Sequence, residues 1–379
     1  MRRIKEIEIT SVCEYIQTIY DIPNYINKYF NNDKLFKIFD EIEKFSLDQK
    51  TFKKDAAWLS RKEKQEQEKQ LKEKLYDIIK YLNEIPILDS FIQKLYLKEI
   101  NKNKEEDYFD FRKGIIEYYY RGVYDGENFN LLPSCFRKNN YGKENLLYQY
   151  IRAKCFGDLH NKNHLDTLVT LQHYDCPTRL LDITSNPLVA LYFACKNYGC
   201  NNCDVANFGY VYVFANEKSK LLFSDSDKAI MLSCLAKFTK EEQIKIHDEC
   251  IKLILNEGLD AIFDSYTKNK VINKLYHEIS TEVNFEKRIR ARDLLMTYFV
   301  QANTSNKRID KQSGAFIICG VSKDPIEVED KIKSNIFYKI KVKNQVKILE
   351  ELDLLNINEA SLFPELDKVS RYFVSKITI

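Results

Sequence analysis

No uncharged apolar run in this 379-residue sequence approaches the roughly 20 residues a membrane-spanning helix needs, so no spanning segment is expected. There is no Walker loop and no G-x-G-x-x-G after a strand, which removes the two standard routes to a bound nucleotide. Excess charge of one sign is lacking too. Against 59 basic residues stand 56 acidic ones, and a net charge of +3 gives no global field toward nucleic acid or an anionic membrane. The start, MRRIKEIEIT, reads as a strand rather than a secretory signal, so the ten cysteines are expected reduced and the location cytoplasmic. Only Cys200 and Cys203 form a C-x-x-C, and no second pair stands at zinc-finger spacing, so no metal site is expected.

What is present is aromatic and globular: 25 Tyr and 23 Phe supply more apolar burial than a solvated polymer carries. Residues 7–20 read as a short strand, a Thr or Ser cap and the start of an amphipathic helix. From about Asn24 to Lys104 the chain is Lys/Glu-rich with apolar residues at helical spacing, and the run RKEKQEQEKQLKEK (61–74) reads as a solvated helix face. After Asp107, GIIEYYYRG, FGYVYVFA and GAFIICG are strands between helical stretches, and the tail from Phe337 repeats a strand and a helix. The expected class is therefore α+β, with the start of a domain at 1–22, a helical insertion at 23–108, and a core at 109–379 that carries a helical insert at about 224–287.

Three segments carry chemistry. In IIEYYYRG an apolar strand containing Tyr120 ends in Arg121 and Gly122; a guanidinium there needs an anion or fixed carbonyls, and the glycine permits a tight turn or close ligand approach. The second, LQHYDCPTRLLDITSNPLVALYFA, reads as a helix end, a Pro turn, a strand over Arg179–Ile183, a cap of Thr184, Ser185 and Asn186, and a helix from Pro187. A capped helix N-terminus with adjacent hydroxyls suits a phosphate, ribose or amide, and ordinary capping explains the same residues. His173, Arg179 and Asp182 crowd that cap in an otherwise apolar stretch and require partners. His173 and Cys176, three residues apart at a Pro turn, are not expected to face each other as base and nucleophile. In the third segment, NKRIDKQSGAFIICG, Arg308 and Gln312 precede a strand with Gly314 as hinge; Gln312 either points into a cleft or caps the turn.

YYYRG, LQHYDCPTRLLDITSNPLVALYFA, RIDKQSGAF and LNINEASLFPELD together resemble the FRG domain in order and spacing, over about residues 5–22 and 115–375. More distantly, residues 118–215 and 312–318 are similar to the core of ADP-ribosyltransferases of the Arg, Ser-Thr-Ser, Glu type. That second resemblance implies a split antiparallel or mixed sheet with large helical insertions. It also implies NAD as substrate, Arg121 on a phosphate or the nicotinamide ribose, Thr184 and Ser185 supporting the nicotinamide pocket, and Tyr192 or Phe193 packed beneath it. Tyr120, Gly122, His173 and Arg179 complete the expected binding set, with Arg121, Asp182 and Gln312 as catalytic candidates. The sequence departs from that pattern at Gln312, where those transferases carry a Glu; charge stabilisation is then lost or passes to Asp182 or Glu278.

The implied function is transfer of ADP-ribose to a nucleic acid or protein, or hydrolysis of NAD, by a bacterial toxin or phage-defence effector. The alternatives are a nucleotide-sensing module without turnover, and a nucleic-acid-processing protein that uses the helical block as a clamp.

Overall fold

The computed structural model describes residues 5–29, 59–84, 116–124, 131–196, 208–264, 268–286, 288–303 and 307–378, with isolated positions at 44, 48, 51 and 54. Cys200 and Cys203 lie outside the described residues, as does much of the 23–108 insertion. Among the described residues no helix is long and apolar enough to cross a membrane.

The class is α+β, built among the described residues on one mixed eight-stranded sheet. Its strands in chain order are β1 (Lys5–Ile9), β2 (Ile116–Val123), β3 (Leu180–Thr184), β4 (Gly209–Glu217), β5 (Leu222–Phe223), β8 (Thr297–Gln301), β9 (Gly314–Cys319) and β10 (Ile336–Val342). A separate two-stranded ribbon pairs β6 (Ile262–Phe263) with β7 (Ile289–Arg290). The spatial order is β1-β10-β4-β2-β3-β9-β8-β5; the two outermost pairings are parallel and the inner ones antiparallel.

β4 shows why the centre reads as a continuous apolar run. All nine of its residues are buried, with Val211, Val213 and Ala215 in the core on one face and Tyr210, Tyr212 and Phe214 in the core on the other. A strand covered on both faces loses the hydrophobic alternation that a half-solvated one keeps. The first face is covered by helices Val12–Tyr29, Pro187–Cys195 and Gln345–Leu354, the second by residues 131–136 and helix Pro325–Ser334.

Helices Asp227–Cys234, Lys240–Glu257 and Lys270–Ser280 form a further core with the β8–β9 half of the sheet. Helix Arg61–Glu84, which contains the charged run, buries Leu71 and Leu75 in that core and packs on Pro325–Ser334 and Lys240–Glu257. Two leucines one helical turn apart thus dock an otherwise polar helix.

Two glycines set how closely helix Pro187–Cys195 lies on the sheet. A Cβ on Gly122 would stand 1.8 Å from the Ala190 carbonyl oxygen, and one on Gly209 would stand 2.1 Å from that of Ala194. Gly122 therefore serves the approach of a helix rather than a tight turn. At the third segment the left-handed residue is Ser313, at φ 46°, and not Gly314.

Candidate functional site

The sheet has one weak seam. β2 pairs with β4 along its whole length, but with β3 through a single residue pair, Tyr120 and Thr184. Where the ladder fails, the Arg121 side chain bridges the gap: its Nη1 donates to the Asp182 carbonyl at 2.5 Å and lies 3.7 Å from Asp182 Oδ2. A cavity of about 430 Å³ opens over this seam, which is enough for a small ligand.

Local chemistry positions each wall. Helix His164–His173 is capped by Asn163, whose side chain accepts from the Asp166 N–H, and it ends at Asp175 in the left-handed conformation, φ 59°, with the Cys176 N–H returning to the Leu171 carbonyl at 3.0 Å. That stop aims Gln172 and His173 at the cavity. β3 then delivers Asp182, and Asn186 caps the next helix by accepting from the Leu188 N–H, with Pro187 in the first turn.

The structure gathers Tyr120, Arg121, Gly122, His173, Asp182, Thr184, Phe193 and Gln312 around the cavity. Asp182 is open to it, with a side chain 62% exposed, whereas the Arg121 side chain is 14% exposed. Burial pushes the Arg121 pKa down and the Asp182 carboxylate opposes that shift. Thr184 Oγ1 donates to the Gln312 carbonyl at 2.6 Å and accepts from the Asn186 N–H, so the second and third segments are joined at the cavity rim. The Gln312 amide donates to the Leu362 carbonyl at 3.1 Å, fastening the short helix Glu359–Leu362 beside the site. His173 Nε2 meets Glu365 Oε1 at 3.1 Å.

Three expected residues stand apart. Arg179 is fully buried behind β3, where Glu144 takes its Nε and Nη2, the Cys319 carbonyl its Nη1, and Gln243 a further Nη2 contact. Ser185 is exposed and bonds Ser313 through its backbone N–H at 3.0 Å. Tyr192 is buried in the core on the helix-covered face, edge-on to Phe193 with centroids 5.8 Å apart. Glu278, the other acid weighed for charge stabilisation, is tied to Lys237 away from the cavity. The Cys176 thiol lines the cavity, but burial pushes it up to about 11, so it stays protonated at neutral pH and supplies no thiolate.

Sequence reasoning missed Gln172 and Arg137. Gln172 Nε2 donates to Asp182 Oδ1 at 2.6 Å, and Arg137 lines the cavity with its Nε on the Leu132 carbonyl at 3.2 Å. Gln172 lies within LQHYDCPTRLLDITSNPLVALYFA, and its ten-residue spacing from Asp182 across a turn is the available signal; Arg137 has none. Among the described residues no group of three or more His, Cys, Asp or Glu side chains is placed to hold a metal ion.

Residues 116–202 match the family model of the FRG domain. No curated protein and no solved structure matches the chain. The matched stretch begins with the strand that carries Arg121 and continues through the Gln172 helix end, the Asp182 strand and the Asn186-capped helix. The stretch that matches the FRG domain thus supplies most of the walls of the seam cavity.

Proposed function

We propose that the seam cavity binds NAD and that the protein cleaves its nicotinamide–ribose bond, passing ADP-ribose to a nucleic acid or protein, or to water. The observation that carries this reading is the convergence on one cavity of a largely enclosed guanidinium, Arg121, an open carboxylate, Asp182, and an aromatic ring, Phe193. A guanidinium suits a phosphate or a ribose oxygen, an aromatic ring suits the flat face of nicotinamide, and a carboxylate suits the positive charge that develops on the ribose.

In the step assigned, the bond between the ribose anomeric carbon and the nicotinamide nitrogen breaks, and nicotinamide leaves with the bonding pair. The acceptor's oxygen or nitrogen then bonds to the same carbon and releases its proton to solvent. Asp182 stabilises the oxocarbenium-like charge in between. Gln312 is neutral and its amide is engaged by Leu362, and Glu278 lies elsewhere, so the charge role falls to Asp182. NAD consumption of this kind fits a toxin or defence effector.

The test is incubation of the purified protein with NAD while nicotinamide release is followed. Release that is abolished in Arg121→Ala supports the reading; no release from the wild type overturns it. The Gln312 geometry also favours a second reading, a module that binds a nucleotide without turnover. Its signature is a raised melting temperature with NAD and no product.

A further inference from the structure

The Asp182 carboxylate is held by a relay of side chains that the function above does not itself require. The Leu180 N–H donates to Thr178 Oγ1 at 3.3 Å, and Thr178 Oγ1 donates in turn to Gln172 Oε1. Gln172 Nε2 donates to Asp182 Oδ1 at 2.6 Å. The direction of each bond is fixed. An ionised carboxylate only accepts, so Gln172 turns its NH₂ to Asp182. That leaves the Gln172 carbonyl for Thr178, whose hydroxyl is therefore the donor there while its oxygen accepts from the Leu180 N–H. A flipped amide would set carbonyl oxygen against carboxylate oxygen. Thr178 is fully buried and anchors this chain in the protein interior, while Asp182 stands open at the other end.

We infer that Gln172 and Thr178 are positioning residues for the site, fixing the rotamer of Asp182 so that Oδ1 is occupied from behind and Oδ2, on the Arg121 side, is presented to the ligand. This rests on the assignment of Asp182 as the charge-stabilising group. A carboxylate on a strand surface otherwise swings between rotamers, and a group that must meet charge as it develops acts best when already in place.

Three variants and one structure test the relay. Gln172→Met keeps the length of the side chain and removes both bonds. The expected result is a fall of about tenfold or more in kcat for nicotinamide release, with KM for NAD changed by less than about threefold. Gln172→Glu keeps the shape but sets a second carboxylate against Asp182. Two acids so close share a proton, and the acidic limb of the pH–rate profile should move up by about one unit or more. Thr178→Ser, which keeps the hydroxyl, should retain wild-type kcat.

Wild-type kcat in Gln172→Met overturns the inference, and so does an unmoved pH profile in Gln172→Glu, because residue 172 would then not meet the Asp182 carboxylate. A crystal structure of Gln172→Met needs no turnover: the relay predicts that the Asp182 carboxylate leaves its wild-type rotamer, and an unmoved carboxylate overturns it. Absence of nicotinamide release from the wild type would instead count against the NAD reading, and the crystal structure would still decide the relay.

Discussion

Arg121 and Asp182 stand on neighbouring strands that scarcely pair, and the guanidinium of one spans to the main-chain carbonyl of the other at 2.5 Å, doing with a side chain what the backbone ladder does elsewhere. The bridge also leaves Asp182 Oδ2 within 3.7 Å of the same Nη1. One cation thus closes the seam and shapes the site. Arg121→Lys keeps the charge but loses the planar fork, so the melting-temperature rise expected of the wild type with NAD should be lost in this variant. A wild-type shift in the Lys variant would show that charge alone suffices.

Arg179 provides the contrast. It is fully buried, and Glu144 holds its guanidinium charged against the burial that pulls its pKa down. Glu144→Ala strands that charge and should lower stability by about 3–5 kcal/mol in urea unfolding. Replacing both residues with Met should cost much less than the sum of the two single changes, because no charge is then left unpaired. Additive losses would contradict the pairing.

Gly122→Ala places a Cβ against the backbone of helix Pro187–Cys195, where no side chain can move aside. The expected loss is about 3 kcal/mol or more, with folded yield and urea midpoint as readouts. A neutral outcome would mean the helix does not sit as closely as described.

A buried pair away from the cavity sets part of the pH dependence. Glu282 Oε1 lies 3.0 Å from His164 Nδ1; burial pushes the Glu282 carboxyl up to about 7 and holds His164 down at about 3. The unfolded Glu releases its proton near 4.5 while the native one keeps it to about 7, so this group's contribution falls as pH rises through that window. His164 acts oppositely: the unfolded ring takes a proton near 6.5 and the native ring resists to about 3, so stability is lost as pH falls between those values. Glu282→Gln should therefore be more stable than wild type above pH 7, by roughly 2 kcal/mol, and should keep the loss on the acid side. Urea midpoints measured from pH 4 to 8 check this; parallel curves for the two proteins would contradict it.

The sequence disclosed the elements whose periodicity matched their burial. β2, β4, β9 and β10 were readable as apolar strands, and Asn186 and Pro187 marked a helix start because capping chemistry is local. The partners of polar residues were less readable, because partnership is decided by tertiary distance. Arg179 and Arg121 look alike in sequence, each beside an apolar strand, yet one faces Glu144 through the core and the other the cavity. Thr184 and Ser185 look equivalent as a hydroxyl pair, but only Thr184, the last residue of β3, lines the cavity, while Ser185 beyond the strand end is exposed. Arg137 had no local signal, since it enters the site from a loop that only the fold brings near.

The most direct measurement is a crystal structure of the protein grown with saturating NAD. The expected result is ligand density over the β2–β3 seam, with a phosphate or ribose oxygen on the Arg121 guanidinium, a ribose within reach of Asp182 Oδ2, and the nicotinamide ring against Phe193. An empty seam cavity at saturating NAD, or NAD bound elsewhere on the molecule, would contradict it.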